Sequence, residues 1–337
     1  MGRVTLQDVA DLAGVSMKTV SNVVNDYQHI SPGMRERVRS AIDELGYRPN
    51  RSGRSLATGR SRMIGLAFPD LRRPYFAELA HVFARVAQAR GYGMVLIETG
   101  GTAEGERAVL DDREAGFVDG LVIHPQSLTA SELDAVRGDA AVVFLGEDPQ
   151  PAGSDQVAVD NVEAARSAVA HLVASGRRRI GFLGHEPDDV SRTSALRLEG
   201  YRRGLDDAGL AFDASRLVAR EAGDALGAEE ALTEALDRGL DVDALLCRED
   251  LAAIGALRAL HRRGIRVPDD VAVVGWDAIE LGASVMPSLT SVAPDTRELA
   301  ERALDLLLQR VGGDEEPGRH VTVGHRLVLR ESAPAVP

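Results

Sequence analysis

The sequence predicts a small all-α head joined to an α/β body of two doubly wound parallel sheets. Three observations carry this. Up to about residue 46, apolar side chains recur at intervals of three and four between Ser, Thr and Gly positions, the period of short capped helices. From Met63 onward, short Val-, Ile- and Leu-rich runs alternate with longer helical patterns, as in parallel sheets whose strands are joined by helices. The charge divides at the same place. Residues 1–62 hold 1 Lys and 9 Arg against 6 acids, so the head carries +4 in a 337-residue chain of net charge −13. A basic head on an acidic body is the asymmetry expected when one small module meets phosphate.

Taken in order, Thr5 with Asp8 three residues on makes a variant capping box, and Leu6, Val9, Ala10 and Ala13 share the face that follows. Gly14 ends this helix. Ser16 caps a second, with Val20, Val23 and Val24 on its inner side. Ser31-Pro32 opens a third, where proline at the first helical position loses no hydrogen bond. Its stripe is Met34, Val38, Ala41, Ile42 and Leu45, and Gly46 is the stop. The first two helices and the turn Gly14-Val15-Ser16 match a helix-turn-helix. With the valines inward, Lys18, the sole lysine of the chain, faces outward with Ser21, Asn22 and Asn25. Cationic and amide side chains on such a face reach phosphates and base edges in a major groove, and the rival reading is a solvated helical hairpin. Met17 lies on the margin of the valine face, where core and groove contact are both open.

Residues 47–63 contain Arg48, Arg51, Arg54, Arg60 and Arg62, no acid, and one isolated leucine, Leu56. They read either as a flexible basic linker, which Gly53 favours, or as a helix that orders only on DNA with Leu56 as a wedge in the minor groove.

In the body, strands are expected at 62–68, 93–99, 120–125 and 141–146, with helices near 74–90, 104–115 and 131–137. A second set is expected at 179–184, 244–249 and 271–276, with a weaker strand near 217–221. QVAVDN (156–161) reads as a crossing, LTSVAP (289–294) as a return, and the helix TRELAERALDLLLQRV precedes a C-terminal strand pair. The domain reading is a head over 1–48, a hinge over 49–61 and a body over 62–337. Its first subdomain spans about 62–160 plus 292–320, its second about 161–291 plus 321–337. Ligands of such sheets sit at the carboxyl ends of the strands.

Catalytic signatures are missing: neither G-x-G-x-x-G after a first strand, G-x-x-x-x-G-K-[ST], H-E-x-x-H nor G-x-S-x-G occurs. The one cysteine, Cys247, cannot form an internal disulfide and has no metal-ligand cluster around it, and His185-Glu186 reads as loop. No catalytic residue, metal or cofactor is expected. No apolar run reaches membrane-spanning length and MGRVTLQDVADLAG has no signal-peptide character, so a cytoplasmic protein without membrane contact is expected.

VTLQDVADLAGVSMKTVSNVVN, followed by ISPGMRERVRSAIDELGYRPNRSGRSLATGRS, closely resembles the DNA-binding head and hinge of the lactose-repressor (LacI/GalR) family. The usual pattern there is T-x-x-D-V-A-x-x-A-G-V-S-x-x-T-V-S, then a Y-x-P-N join and an A-R-S-L-type hinge. The resemblance implies that Met17, Lys18 and Asn22 do most base reading and that Leu56 intercalates. It extends the DNA-facing set to Thr5, Ser16, Thr19, Ser21, Asn25, Asn50, Arg54 and Ser55. Asn22 replaces the commoner Arg or His, exchanging a guanine contact for an adenine one. Gly53 replaces the usual Ala, which slows ordering of the hinge.

The body continues the resemblance and is also similar to periplasmic binding proteins. PDLRRPYF places Tyr75 and Phe76 either on the effector cleft or in helix-start packing. VDN (159–161) brings Asp160 to a crossing, and SALRLEGYRRGL, preceded by Thr193, carries Arg197, which binds effector or makes a surface salt bridge. VPDDVAVVGWDAIE puts Asp277 at a strand end. The usual C-x-N-D-x-x-A reads CREDLAA here, so Glu249 replaces Asn and calls for a cationic group, on the ligand or on a partner such as Arg197. The implied protein is a homodimeric repressor of carbohydrate genes, released from a palindromic double-stranded operator by a small sugar. A ligand acting as corepressor, a sugar-binding transport protein and a metabolic enzyme are the alternatives. Lys18 is then a base or a phosphate contact, and both stay open.

Overall fold

The computed structural model describes residues 4–24, 27, 29–47, 60–112, 117–137, 141–148, 150–186, 192–219 and 224–335. They form two compact units that divide between Arg62 and Met63.

The head holds α1 (Leu6–Ala13), α2 (Met17–Val24) and α3 (Pro32–Leu45) around Val9, Ala10, Ala13, Val20, Val23, Val38, Ala41 and Tyr47. The capping box is reciprocal: Asp8 N donates to Thr5 Oγ1 at 3.3 Å, and Thr5 N donates to Asp8 Oδ2 at 2.8 Å. At the other end Gly14 takes φ +63°, closing α1 with its N–H on Ala10 O and Asp11 O. Thr5→Ala removes the acceptor, with an expected cost of about 1 kcal/mol. In the full chain, amide exchange along α1 should quicken roughly fivefold, and unchanged exchange would refute a stabilising cap.

The body contains two six-stranded sheets. The first runs in the order β11-β5-β4-β3-β1-β2, with every pair parallel. Its strands are β1 (Met63–Phe68), β2 (Gly93–Glu98), β3 (Gly120–Ile123), β4 (Val142–Leu145), β5 (Asp155–Val159) and β11 (His320–Val323). One face packs under α4 (Pro74–Ala89) and α12 (Thr296–Val311), the other under α5 (Ala103–Asp112) and α6 (Ala130–Arg137). The second sheet runs β12-β10-β9-β8-β6-β7 and is parallel except for β12 against β10. It comprises β6 (Ile180–His185), β7 (Leu217–Ala219), β8 (Ala244–Cys247), β9 (Ala272–Trp276), β10 (Thr290–Pro294) and β12 (His325–Val328). Here α7 (Asn161–Ala174) and α8 (Arg192–Asp207) cover one face, α9 (Ala225–Asp237) and α10 (Asp250–Arg262) the other. A short α11 (Leu281–Ser284) follows β9.

Four expectations change. The C-terminal strands do not pair with each other: β11 adds to β5 of the first sheet and β12 to β10 of the second, with only Gly324 between them. QVAV is a full strand of the first sheet, and the crossing comes after it, at Asp160. The first subdomain resumes after Pro294 rather than near 292, because β10 lies wholly in the second sheet. It also extends through Val323 rather than ending at 320. The sequence hides these points because strand assignment among sheets depends on long-range pairing, not on local pattern. Part of the helix expected over 104–115 and the end of the weak strand near 217–221 fall outside the described residues.

Candidate functional site

In the head, α2 presents a polar face opposite Val20 and Val23. Lys18 is exposed on it, and Thr19, Ser21 and Asn22 are half-buried. Met17 is 50% exposed, which removes it from the core and leaves it on the outer face. The Ser16 hydroxyl accepts from Thr19 N at 3.2 Å, so Ser16 fixes the start of α2 as Thr5 fixes that of α1. Asn25, Asn50, Arg54, Ser55 and Leu56 lie outside the described residues, as does the hinge reading that rests on them.

In the body the site follows from topology. In each sheet the chain leaves the first strand for one edge and returns on its other side, so the connections after β1 and β3 leave for opposite faces, as do those after β6 and β8. Loops that part at such a switch point leave a crevice. The two crevices make one small cleft. Its first-lobe wall is Arg73, Tyr75 and Phe76 after β1, with His124 and Gln126 after β3. Its second-lobe wall is Thr193 and Arg197 on α8, Arg248 and Glu249 after β8, and Asp277 after β9.

Arg197 organises the second wall. Its Nε donates to Asn161 Oδ1 at 2.8 Å and its Nη1 to the Arg248 carbonyl, while the guanidinium lies 4.1 Å from the centre of the Trp276 ring. Nη2 stands 4.0 Å from Asp277 Oδ1. Its side chain is only 13% exposed, so the surface-salt-bridge alternative is excluded. Burial drives the Arg197 pKa down and holds that of Asp277 well above the carboxylate range, against the opposing pull of each partner's charge. Asp277 and Ala278 both take positive φ, +100° and +53°, a costly backbone for residues with a Cβ. Asp250 holds that turn. It accepts from Ile279 N at 2.8 Å and from Ser291 Oγ at 2.6 Å, and Ser291 Oγ accepts from Ala278 N at 3.0 Å. Burial raises the Asp250 carboxyl to about 7.

Across the cleft, Phe76 stacks on Phe68 at 5.0 Å and meets His124 edge-on at 5.4 Å, so it serves core and cleft together. Tyr75 is half-buried beside it, and burial raises its hydroxyl pKa. His124 is held towards the neutral form by burial. Thr193 Oγ1 donates to Glu147 Oε2 at 2.6 Å, joining the lobes, and Asp148 next to that carboxylate is pushed up to about 6 by burial and by the Glu147 charge. Three buried nitrogens around the cleft, His124 Nδ1, Arg248 Nε and Trp276 Nε1, have no hydrogen-bond partner among the described residues.

Two expectations about this wall are corrected. Glu249 does not pair with Arg197; it pairs with Arg73 of the opposite lobe and lies 3.8 Å from Arg248. Asp160 is exposed and does not line the cleft; its carboxylate caps α7 by accepting from Glu163 N at 2.9 Å, and the neighbouring Asn161 reaches Arg197 instead. His185 and Glu186 are also more than loop, since His185 ends β6 and Glu186 pairs with Arg248. Sequence reasoning missed Arg73, His124, Gln126, Glu147, Arg248 and Trp276. Only the double arginine of LRRPYF and the charged CRED offered a signal, and neither names its partner. No group of three or more metal-ligating side chains occurs among the described residues, and Cys247 is buried.

Aromatic faces, forked donors and carboxylates converging on a small cleft suit a small ligand with an apolar face and several hydroxyls. Residues 5–50 match the model of bacterial regulatory proteins of the lacI family, and residues 169–333 that of a periplasmic binding protein-like domain. The chain is 36% identical to the HTH-type transcriptional regulator CelR of Thermobifida fusca over 98% of both chains. It is 32% identical to the regulator AscG of Escherichia coli K12, over 97% of this chain and 98% of that one. Among solved structures it is similar to a lac repressor dimer bound to operator and the anti-inducer ONPF, with TM-score 0.85, 30% identity, and 99% and 100% of the two chains covered. It is also similar to a CelR–cellobiose complex, with TM-score 0.70, 32% identity, and 98% and 100% covered.

Proposed function

From a chain that belongs to the LacI family of bacterial regulatory proteins, and is therefore a DNA-binding transcriptional regulator, we propose a repressor of carbohydrate genes that a small sugar releases from a palindromic operator. The observation that carries the sugar reading is the cleft itself, with Tyr75 and Phe76 facing Arg197 and Asp277. Ring faces take the apolar side of a sugar, while the guanidinium and carboxyl take its hydroxyls. A cellobiose complex of the similar CelR supports a neutral saccharide.

The working form is a homodimer in the cytoplasm. Two α2 helices enter successive major grooves, as two-fold symmetry of protein and operator requires. No helix among the described residues is long and apolar enough to cross a membrane. On α2, Lys18, Asn22 and Met17 carry the base and phosphate contacts. Leu56 and the hinge are assigned to the minor groove on the resemblance alone. Ligand binding changes the angle between the lobes and thereby the spacing of the hinges. A coupling of ~1–3 kcal/mol changes occupancy about 5–150-fold.

Fluorescence anisotropy on DNA from upstream of the protein's own gene, across a salt series, tests this with and without mono- and disaccharides. Tight, salt-sensitive binding abolished by one sugar supports the inducible repressor. Binding strengthened by a sugar makes the ligand a corepressor, and sugar binding without any specific DNA binding leaves only a sugar-binding protein. Lys18→Ala separates the two readings of that residue. Loss of one phosphate contact lowers the salt slope by about 1 across all sequences, whereas a base contact costs about 1–3 kcal/mol and relaxes one operator position.

A further inference from the structure

The cleft walls are joined to each other by an ion pair. Arg73 stands at the N-cap of α4 on the first lobe, and Glu249 at the N-cap of α10 on the second. Neither side chain makes a capping hydrogen bond to its own helix. The Arg73 guanidinium instead reaches 176 residues along the chain to the Glu249 carboxylate. Glu249 is also 3.8 Å from Arg248, which pairs in turn with Glu186. Charges therefore alternate across the mouth of the cleft, Arg73, Glu249, Arg248, Glu186, with only the first link spanning the lobes. The Glu249 and Arg248 side chains are each 11% exposed and Arg73 28%, so salt screens this chain less than it does surface pairs. Two uncharged-donor contacts also cross between the lobes, Thr193 Oγ1 to Glu147 Oε2 at 2.6 Å and Glu280 N to Glu78 Oε1 at 2.9 Å.

We propose that Arg73 and Glu249 form a latch that closes the two lobes in the absence of ligand, and that ligands of this cleft must bind against it. Opening the cleft strips Glu249 of its opposite-lobe cation. Opening therefore costs an ion pair, and the closed form is the resting form. Arg73, Arg248 and Glu249 line the space a ligand fills, so a ligand's polar groups compete with the latch for the same donors and acceptors. The pair thereby takes part in choosing the ligand. The proposal concerns lobe closure in the unliganded chain and stands or falls independently of the sugar reading.

The test is an interlobe distance in the full-length protein without added ligand. Glu104→Cys on α5 and Glu230→Cys on α9, both exposed, carry spin labels, while Cys247 is fully buried and stays unlabelled. Labelled subunits are diluted in unlabelled protein so that pulsed dipolar spectroscopy reads pairs within one chain. A single narrow distance is expected in the parent. Arg73→Gln and Glu249→Gln should each broaden or shift the distribution, and the charge-exchanged double variant Arg73→Glu with Glu249→Arg should restore it at least in part. Distributions in both single variants that match the parent's overturn the latch, as does a parent already broad. Arg73→Gln retains a polar side chain at a partly exposed position, and far-ultraviolet circular dichroism of each variant checks that it is folded.

Discussion

Arg197→Ala lowers affinity for the cleft ligand about a hundredfold or more and leaves operator binding in the absence of ligand within about twofold. The asymmetry follows from where the arginine is anchored. Among the described residues its hydrogen bonds, ion pair and ring contact, to Asn161, the Arg248 carbonyl, Asp277 and Trp276, all belong to the second lobe. Alanine removes the forked donors a hydroxylated ligand would use. Hydrogen bonds to charged groups contribute about 1.5–3 kcal/mol each, and tenfold in affinity is about 1.4 kcal/mol. It also leaves Asp277 buried without its cation, so that carboxyl moves further towards the neutral form and loses strength as an acceptor. Arg197→Lys should recover little, because an ammonium cannot serve Asn161 and a carbonyl while also covering the Trp276 ring. Trp276 is the chain's only tryptophan and lies under Arg197, so its fluorescence reports the ligand titration directly. Ligand binding at parental strength in Arg197→Ala would reduce the arginine to a structural strut.

Gly275→Ala lowers the melting temperature of the body by roughly 6–12 °C, equivalent to a loss of about 3 kcal/mol. A Cβ at Gly275 would stand 2.1 Å from Asp250 Oδ1 and 2.9 Å from Leu289 Cδ2. The carboxylate cannot swing aside cheaply. Its two oxygens hold Ser291 and Ile279, and Ser291 holds Ala278, so displacement releases the positive-φ turn at Asp277 and Ala278. Overpacking of about 1–3 kcal/mol then adds to buried polar groups left without partners. Ligand affinity should fall with stability, since Asp277 is presented by that turn. A melting temperature within about a degree of the parent would mean that the strand yields locally, and that Asp250 is not a fixed support.

The latch and these two substitutions separate three duties within one cleft. Asp250 and Gly275 hold the strained turn in place, Arg197 and Asp277 face the ligand, and Arg73 with Glu249 sets how far the lobes stand apart. A variant that lowers ligand affinity together with melting temperature therefore belongs to the first group, one that lowers affinity alone to the second, and one that changes affinity and lobe distance to the third.

By itself the sequence determined what depends on neighbours a few residues apart. The capping box at Thr5 and Asp8, the Gly14 and Gly46 stops, the valine stripe of α2 and the succession of strands and helices all follow from local period and backbone preference. The family resemblance, rather than local period, put forward Tyr75, Phe76, Thr193, Arg197, Glu249 and Asp277 for the cleft, and all six line it. Tertiary structure alone decided the pairings. Glu249 announced a need for a cation but not that Arg73, rather than Arg197, supplies it. Asp160 carried the right motif yet spends its carboxylate on a helix end. Strands β11 and β12 are neighbours in the chain and part to different sheets. In each case the partner lies far away in sequence, and an Arg, Asp or strand edge has the same local pattern whichever partner it meets. Chain folding makes that choice by burying the charges and strand edges, where a wrong pairing would leave a charge or a row of backbone groups unmatched.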